Sequence, residues 1–188
     1  MINYFKNFGF LQHKLPTNLY SNILLEASQL ENSFISGISG EGVPEHFYLE
    51  KNNDILFTFL EPHVKEYVDN FGWPIRKYFT GDLPICYDTP WLNVHKKNQY
   101  FPNHSHNGVI SYAIWLKLPD VETTFNFHYL DTIGNLRKHE INLTKEDEGS
   151  FVIFPSTIMH GVNPFYNTDD NRITMSGNIS LKIKESNE

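Results

Sequence analysis

The 188-residue chain carries nine histidines, and two of them stand one residue apart in Asn103-His104-Ser105-His106-Asn107-Gly108. Side chains alternate along an extended chain, so this spacing predicts that His104 and His106 point to the same side. Two imidazoles so placed can hold a transition metal from one strand end, because neutral imidazole suits iron, zinc, copper and nickel. A third ligand has to come from elsewhere, and His160 is the best placed. It follows the apolar run Phe151-Val152-Ile153-Phe154, which Pro155 and Ser156 turn. Twelve residues past His160 stands Arg172, a permanently charged fork for a carboxylate, and Thr174 shares its face of an extended chain. Each part alone has a bland reading as a surface pair or a surface arginine, and the combination is far more specific. The other six histidines (His13, His46, His63, His95, His128 and His139) have no comparable spacing and read as ordinary polar residues.

The elements that must position these residues fall into two parts. Residues 1–75 read as helical or irregular. Apolar residues Leu19, Ile23, Leu24, Ala27 and Leu30 predict a helix over 19–30, with Pro16-Thr17 as its start signal. A second helix is predicted over 54–71, with Ile55, Phe59, Leu60, Val64, Tyr67 and Val68 on one stripe and Asn53 or Asp54 as cap. Pro62 inside that pattern predicts a kink or a late start. A glycine-bearing loop is expected at 37–42.

From 76 to 188 the texture becomes aromatic and β-branched, bounded by Gly, Pro, Asn and Asp. Strands are predicted at 76–79, 90–96, 109–118, 123–130, 136–143, 149–154 and 172–183. Gly134 marks a hairpin at 131–135. In 109–118, Ile110, Tyr112, Ile114, Leu116 and Leu118 share one face. In 172–183 an apolar face alternates with a polar row, Arg172, Thr174, Ser176, Asn178, Ser180 and Lys182. That row faces either solvent or a polar cavity. Many strands without intervening long helices predict a mainly β single domain over 1–188, a sandwich or jelly roll fronted by N-terminal helices.

Composition narrows the role. With 15 Lys+Arg against 22 Asp+Glu the net charge is -7, which argues against general nucleic-acid binding. The single cysteine, Cys86, excludes an internal disulfide and any multi-cysteine zinc site, and fits a reducing compartment. No apolar run approaches the roughly 20 residues that span a membrane. The first ten residues lack the apolar core of a secretory signal. The expectation is a soluble, cytoplasmic protein.

The stretches Trp91-Leu92-Asn93, His104-Ser105-His106-Asn107-Gly108, Ser111 to Pro119, Gly149 to Ser156, His160 and Arg172 to Asn178 resemble the Fe(II)- and 2-oxoglutarate-dependent oxygenase superfamily. The likeness is strongest to small prolyl-hydroxylase-like oxygenases of marine cyanobacterial phages and of bacteria, whose compartment would be the host cytoplasm if the chain is phage-encoded. It covers the C-terminal ~100 residues well, by the elements those motifs span. It implies a double-stranded β-helix (jelly roll) with Fe(II) at its open mouth and 2-oxoglutarate as cosubstrate. His104 and His160 match the family's two histidine ligands, Arg172 the residue that pairs with the far carboxylate of 2-oxoglutarate, and Thr174 the hydroxyl residue beside it. Asn93 and Tyr112 are further candidates to face the cosubstrate. The implied substrate is a peptide or protein side chain, or a small molecule.

The sequence departs from the usual pattern at one ligand. The facial triad of such enzymes has two histidines and a carboxylate, and the carboxylate position here is His106. Three neutral imidazoles would leave the metal one negative charge poorer and would also suit zinc. Two other readings therefore stay open from the residues themselves. One is a three-histidine, cupin-like metal-binding protein or metal hydrolase, and the other a non-catalytic jelly-roll structural protein.

Overall fold

The computed structural model describes residues 9–30, 45–74 and 84–182. The loop expected at 37–42 and the strand expected at 76–79 lie outside them. Two helices, α1 (Thr17–Gln29) and α2 (Asn53–Phe71), precede most of the strands. The larger sheet has strand order β1-β9-β6-β11-β4-β2, with β3 also paired to β11. Its strands are β1 (Leu11–Lys14), β2 (Glu45–Tyr48), β3 (Ile85–Tyr87), β4 (Trp91–His95), β6 (Ile110–Lys117), β9 (Ser150–Pro155) and β11 (Arg172–Leu181). The smaller sheet runs β5-β10-β7-β8, from β5 (Phe101–His104), β7 (Thr123–Leu130), β8 (Leu136–Leu143) and β10 (Met159–Val162). Every pairing is antiparallel.

Two cores follow from alternation along β6, which is buried on both faces. Ile110, Tyr112, Ile114 and Leu116 face the helices and pack with Ile23, Leu56, Leu60 and Val64. Ala113 and Trp115 face the smaller sheet and pack with Phe125, Phe127 and Phe154. Burial of each large side chain contributes about 1.5–3 kcal/mol, so the two layers on either side of β6 hold that strand rigidly. This is the jelly roll expected from the sequence, with helices against one sheet.

Several local expectations are corrected. Leu118 lies past the end of β6 and packs in the core between the sheets, not on the helix-facing side. Helix α2 starts at Asn53 and contains Pro62, so its start is not late. Its inward face carries Leu56, Leu60, Val64 and Tyr67, while Ile55 is 57% exposed. The cap position is Asn52, and no side chain caps the helix. The Asn52 amide donates instead to the carboxylate of Glu26 at 2.6 Å. Glu26 also accepts from the backbone N–H groups of Glu50, Lys51 and Asn52. Burial pushes its pKa up, yet these donors together hold it below its ordinary value. Strands β1, β2, β3, β5 and β10 were not expected. Each has three or four residues, too short for alternation to register.

The hairpin after β7 forms as expected. Gly134 adopts φ 84°, and the Asp131 carboxylate accepts the N–H groups of Ile133 and Asn135 at 3.0 and 2.9 Å. No helix among the described residues is long and apolar enough to cross a membrane.

Candidate functional site

His104 ends β5 and His106 lies just beyond it, so the pair does not sit on one strand as the spacing alone implies. His160 lies on β10, directly opposite His104 in the antiparallel register. Gly161 lets these two strands approach: a Cβ there would lie 2.7 Å from Asn103 Oδ1 and 2.9 Å from the Phe101 carbonyl. The turn carrying His106 is tied to the β9–β10 corner by His106 N–H to Ser156 O at 2.8 Å and Ser156 N–H to Val109 O at 3.2 Å. Ser111 Oγ joins the same corner, 2.8 Å from Ser156 Oγ.

The three ring systems converge. One nitrogen from each of His104, His106 and His160 lies within 4.8 Å of the others, a group able to hold a metal ion. His106 Nε2 and His160 Nε2 are 3.2 Å apart. That approaches the roughly 3.3 Å separation set by a tetrahedral ion with bonds of about 2.0–2.1 Å. The far nitrogens are fixed: Nδ1 of His104 faces the Pro102 carbonyl at 2.8 Å, and Nδ1 of His160 faces the Ile158 carbonyl at 3.0 Å. A carbonyl can only accept, so each Nδ1 donates and each Nε2 keeps its lone pair for a ligand bond. Burial, reinforced by the neighbouring histidines, pushes His106 down to about 4 and His160 down to about 3. His104 is also lowered by burial. All three are neutral donors at physiological pH.

The triad opens into a cavity of about 430 Å³, within the usual range for small-molecule sites. Phe101, Phe125, Phe154 and Trp91 supply apolar wall. Phe125 stacks on His160 with ring centroids 5.7 Å apart, and Phe154 meets it edge-on at 4.8 Å. Its polar wall is the inward row of β11 and its partners on β4. Thr174 faces Asn93, Ser176 faces Trp91 and Arg172 faces His95 across the ladder. The polar row of β11 is thus turned inward at its N-terminal end.

Arg172 is fully buried. It shares the face of Thr174 and Ser176 and lies beside the cavity-lining residues rather than among them. Nη1 donates to the Asn163 carbonyl at 3.4 Å, and the guanidinium lies 5.5 Å above the Phe165 ring. Nε and Nη2 have no partner among the described residues. Burial lowers its pKa to about 10, which still leaves it charged at neutral pH. Thr174 Oγ1 and Asn93 Oδ1 are likewise buried without partners. Unpartnered buried polar atoms are costly, and so many around one cavity mark a place for a polar ligand.

Tyr112 stands apart from this group. It borders the cavity, but its ring packs in the helix-side core, with its hydroxyl over Gly177. Burial pushes that hydroxyl far above its ordinary pKa. His95, read from the sequence as an ordinary polar residue, is 2% exposed and lines the cavity opposite Arg172.

A family model described as "Putative 2OG-Fe(II) oxygenase" matches residues 89–178, which contain the histidine triad and Arg172. That segment is similar to the 2OG-Fe(II) oxygenases. The enzyme is an oxidoreductase of this class, with iron and 2-oxoglutarate as its cofactors. Three neutral nitrogen donors and a buried guanidinium with two unpartnered nitrogens among the described residues suit a metal ion and a dicarboxylate, so the residues present fit both groups.

Solved structures share the fold. A Pseudomonas putida prolyl-4-hydroxylase superposes with TM-score 0.64 at 12% identity, over 93% of this chain and 94% of that one. A Trichoplax adhaerens prolyl hydroxylase, in complex with a hypoxia inducible factor oxygen degradation domain peptide fragment, gives 0.58 at 12% identity, over 90% and 82%. HygX from Streptomyces hygroscopicus, with nickel, 2-oxoglutarate and hygromycin B bound, gives 0.60 at 11% identity, over 93% and 83%. No curated protein matches the chain in sequence.

Proposed function

We propose that His104, His106 and His160 are the three protein ligands of the iron, and that Arg172, assisted by Thr174 and Asn93, binds the far carboxylate of 2-oxoglutarate. The whole chain then acts as one domain, with residues 76–188 as its catalytic core. When bound, iron would supply the oxidation with dioxygen as oxidant: one oxygen atom would enter the succinate formed as the keto acid loses CO2, and the other a substrate C–H bond.

The chain's own residues do four things. The carbonyls of Pro102 and Ile158 hold His104 and His160 in the tautomer that presents Nε2. The guanidinium of Arg172 offers Nε and Nη2 to a carboxylate, and burial makes that pairing strong. The hydroxyl of Thr174 and the amide of Asn93 add polar contacts on the same face. Phe125, Phe154 and Trp91 keep water from the reacting centre. His106 in place of a carboxylate leaves the cation's charge uncompensated by the protein, which strengthens its attraction for the anionic keto acid. Tyr112 contributes by bracing β6 against β11 at Gly177, at the cavity border.

The substrate is a peptide or protein side chain, or a small molecule. Two of the neighbours mark that range, one holding a peptide and one hygromycin B. The apolar wall favours a substrate with an apolar reacting part. The lone Cys86 fits a cytoplasmic enzyme.

Arg172 carries this reading. A fully buried guanidinium with two free nitrogens beside three neutral imidazoles serves a dicarboxylate, whereas a three-histidine hydrolase or a structural jelly roll has no use for it. The test is conversion of 2-oxoglutarate to succinate by the iron-loaded chain without prime substrate. Slow succinate formation that disappears in His160→Ala supports the assignment. Equal formation in wild type and His160→Ala removes it.

A further inference from the structure

We propose that His13, His63 and Glu66 form a second metal site, which takes one divalent transition-metal ion such as zinc and has no part in the oxygenase reaction. His13 lies on the edge strand β1, whereas His63 and Glu66 lie three residues apart on one face of α2. One ligand atom from each of the three lies within 4.8 Å of the others. His13 Nε2 is 3.0 Å and His63 Nδ1 3.5 Å from the same carboxylate oxygen, Glu66 Oε2. A tetrahedral ion with bonds of about 2.0–2.2 Å sets donors roughly 3.3 Å apart. The three groups therefore need only small adjustments to close on one ion.

The rings are already held. His13 and His63 lie with centroids 4.6 Å apart, both against Phe151, at 5.9 and 5.4 Å. Phe59 supports His63 at 4.9 Å. This apolar floor limits the rotamer entropy that binding would otherwise cost. The opposite side is open: the side chains of His13 and Glu66 are 33% and 42% exposed, which lets an ion enter and leaves a position for water. Two imidazoles and one carboxylate suit zinc, cobalt or nickel, not the all-oxygen preference of calcium or magnesium.

This site is separate from the His104 triad. Phe151 lies under it in the helix-side core, whereas Phe154, against His160, belongs to the core between the sheets. The two clusters occupy opposite faces of β9. An ion here would clamp α2 to β1, which among the described residues pairs only with β9 at the margin of the larger sheet, and so would act on stability.

The test is zinc titration of the full chain by calorimetry. Wild type is expected to bind two equivalents, and His104→Ala/His160→Ala to keep one. Glu66→Gln, at a surface position, is expected to weaken that remaining site at least tenfold, and His63→Ala to abolish it. Zinc should raise the Tm of His104→Ala/His160→Ala by roughly 5 °C or more, with no rise once Glu66→Gln is added. The proposal is overturned if His104→Ala/His160→Ala binds no zinc. It is overturned equally if Glu66→Gln in that background binds zinc as tightly as before. Because Glu66→Gln is conservative, it decides the matter even where His63→Ala fails to fold.

Discussion

The clusters on the two faces of β9 both offer imidazole donors, three in one and two with a carboxylate in the other, in different surroundings. His104, His106 and His160 converge at the mouth of the jelly roll, where two rings are oriented by backbone carbonyls and all three are pushed below the ordinary histidine pKa by burial. His13, His63 and Glu66 meet near the surface, where a carboxylate rather than a backbone carbonyl organises the rings. The first cluster has a buried arginine and the triad's cavity beside it. Ligand type permits metal binding in both places. What separates an oxidising centre from a clamp is the supporting shell and room for a second molecule.

The sharpest way to break this contrast is His160→Ala. It is expected to remove iron binding and reduce succinate formation at least 100-fold, as loss of a ligand exceeds the 10–100-fold typical of losing a group that only orients a ligand. Metal analysis and succinate assay on the same preparation check it. Next comes Arg172→Met. Loss of a buried charged partner costs about 2–5 kcal/mol, so affinity for 2-oxoglutarate should fall roughly 30-fold or more in calorimetry. The ligand-free chain should be as stable as wild type or more so, because an unpaired buried charge is replaced by an apolar side chain of similar length.

Acid stability is the third comparison. His106 and His160 have folded pKa values of about 4 and about 3, below the unfolded value of about 6.5. Below that value the unfolded chain binds protons that the folded chain refuses. The stability from keeping these rings neutral is therefore complete above pH 6.5 and is lost as pH falls toward the folded values. Urea denaturation of the metal-free chain should show a loss of about 2 kcal/mol or more between pH 7.5 and pH 5. His106→Asn/His160→Asn should flatten that dependence. A smaller effect is expected from His106→Asp, which restores a negative ligand. Iron affinity should rise about tenfold, or ~1.4 kcal/mol, with weaker attraction for 2-oxoglutarate, both read by titration. Smallest is Glu66→Gln without metal: an exposed ion pair contributes under about 1 kcal/mol, so Tm should shift by no more than a few degrees.

The parts of this site legible in the sequence are those that a short stretch of chain encodes by itself. The alternation of Arg172 with Thr174 follows from the two-residue repeat of β11, whereas the His-x-His spacing marks the right pair although His106 lies past the end of β5. His95 was equally open to that repeat, since Trp91, Asn93 and His95 alternate along β4, and all three line the cavity. Its short strand and its company of lysines concealed the pattern. Tertiary contacts concealed the rest. Glu26 looks like a surface helix residue until the amides of Glu50, Lys51 and Asn52 close over it. Ile55 and Leu56 are equally apolar neighbours, and only the docking of α2 decides which one turns inward. Gly161 discloses its role only when β5 lies against it. The jelly roll itself was readable because many short β-branched and aromatic runs without long intervening helices leave few alternatives.

The most direct test of the central claim is calorimetric titration of 2-oxoglutarate into the metal-loaded chain, the metal-free chain and metal-loaded Arg172→Met. Binding should require metal and weaken roughly 30-fold or more when the guanidinium is removed. Equal binding by all three preparations would contradict the assignment of the histidine triad and Arg172 to one cofactor site.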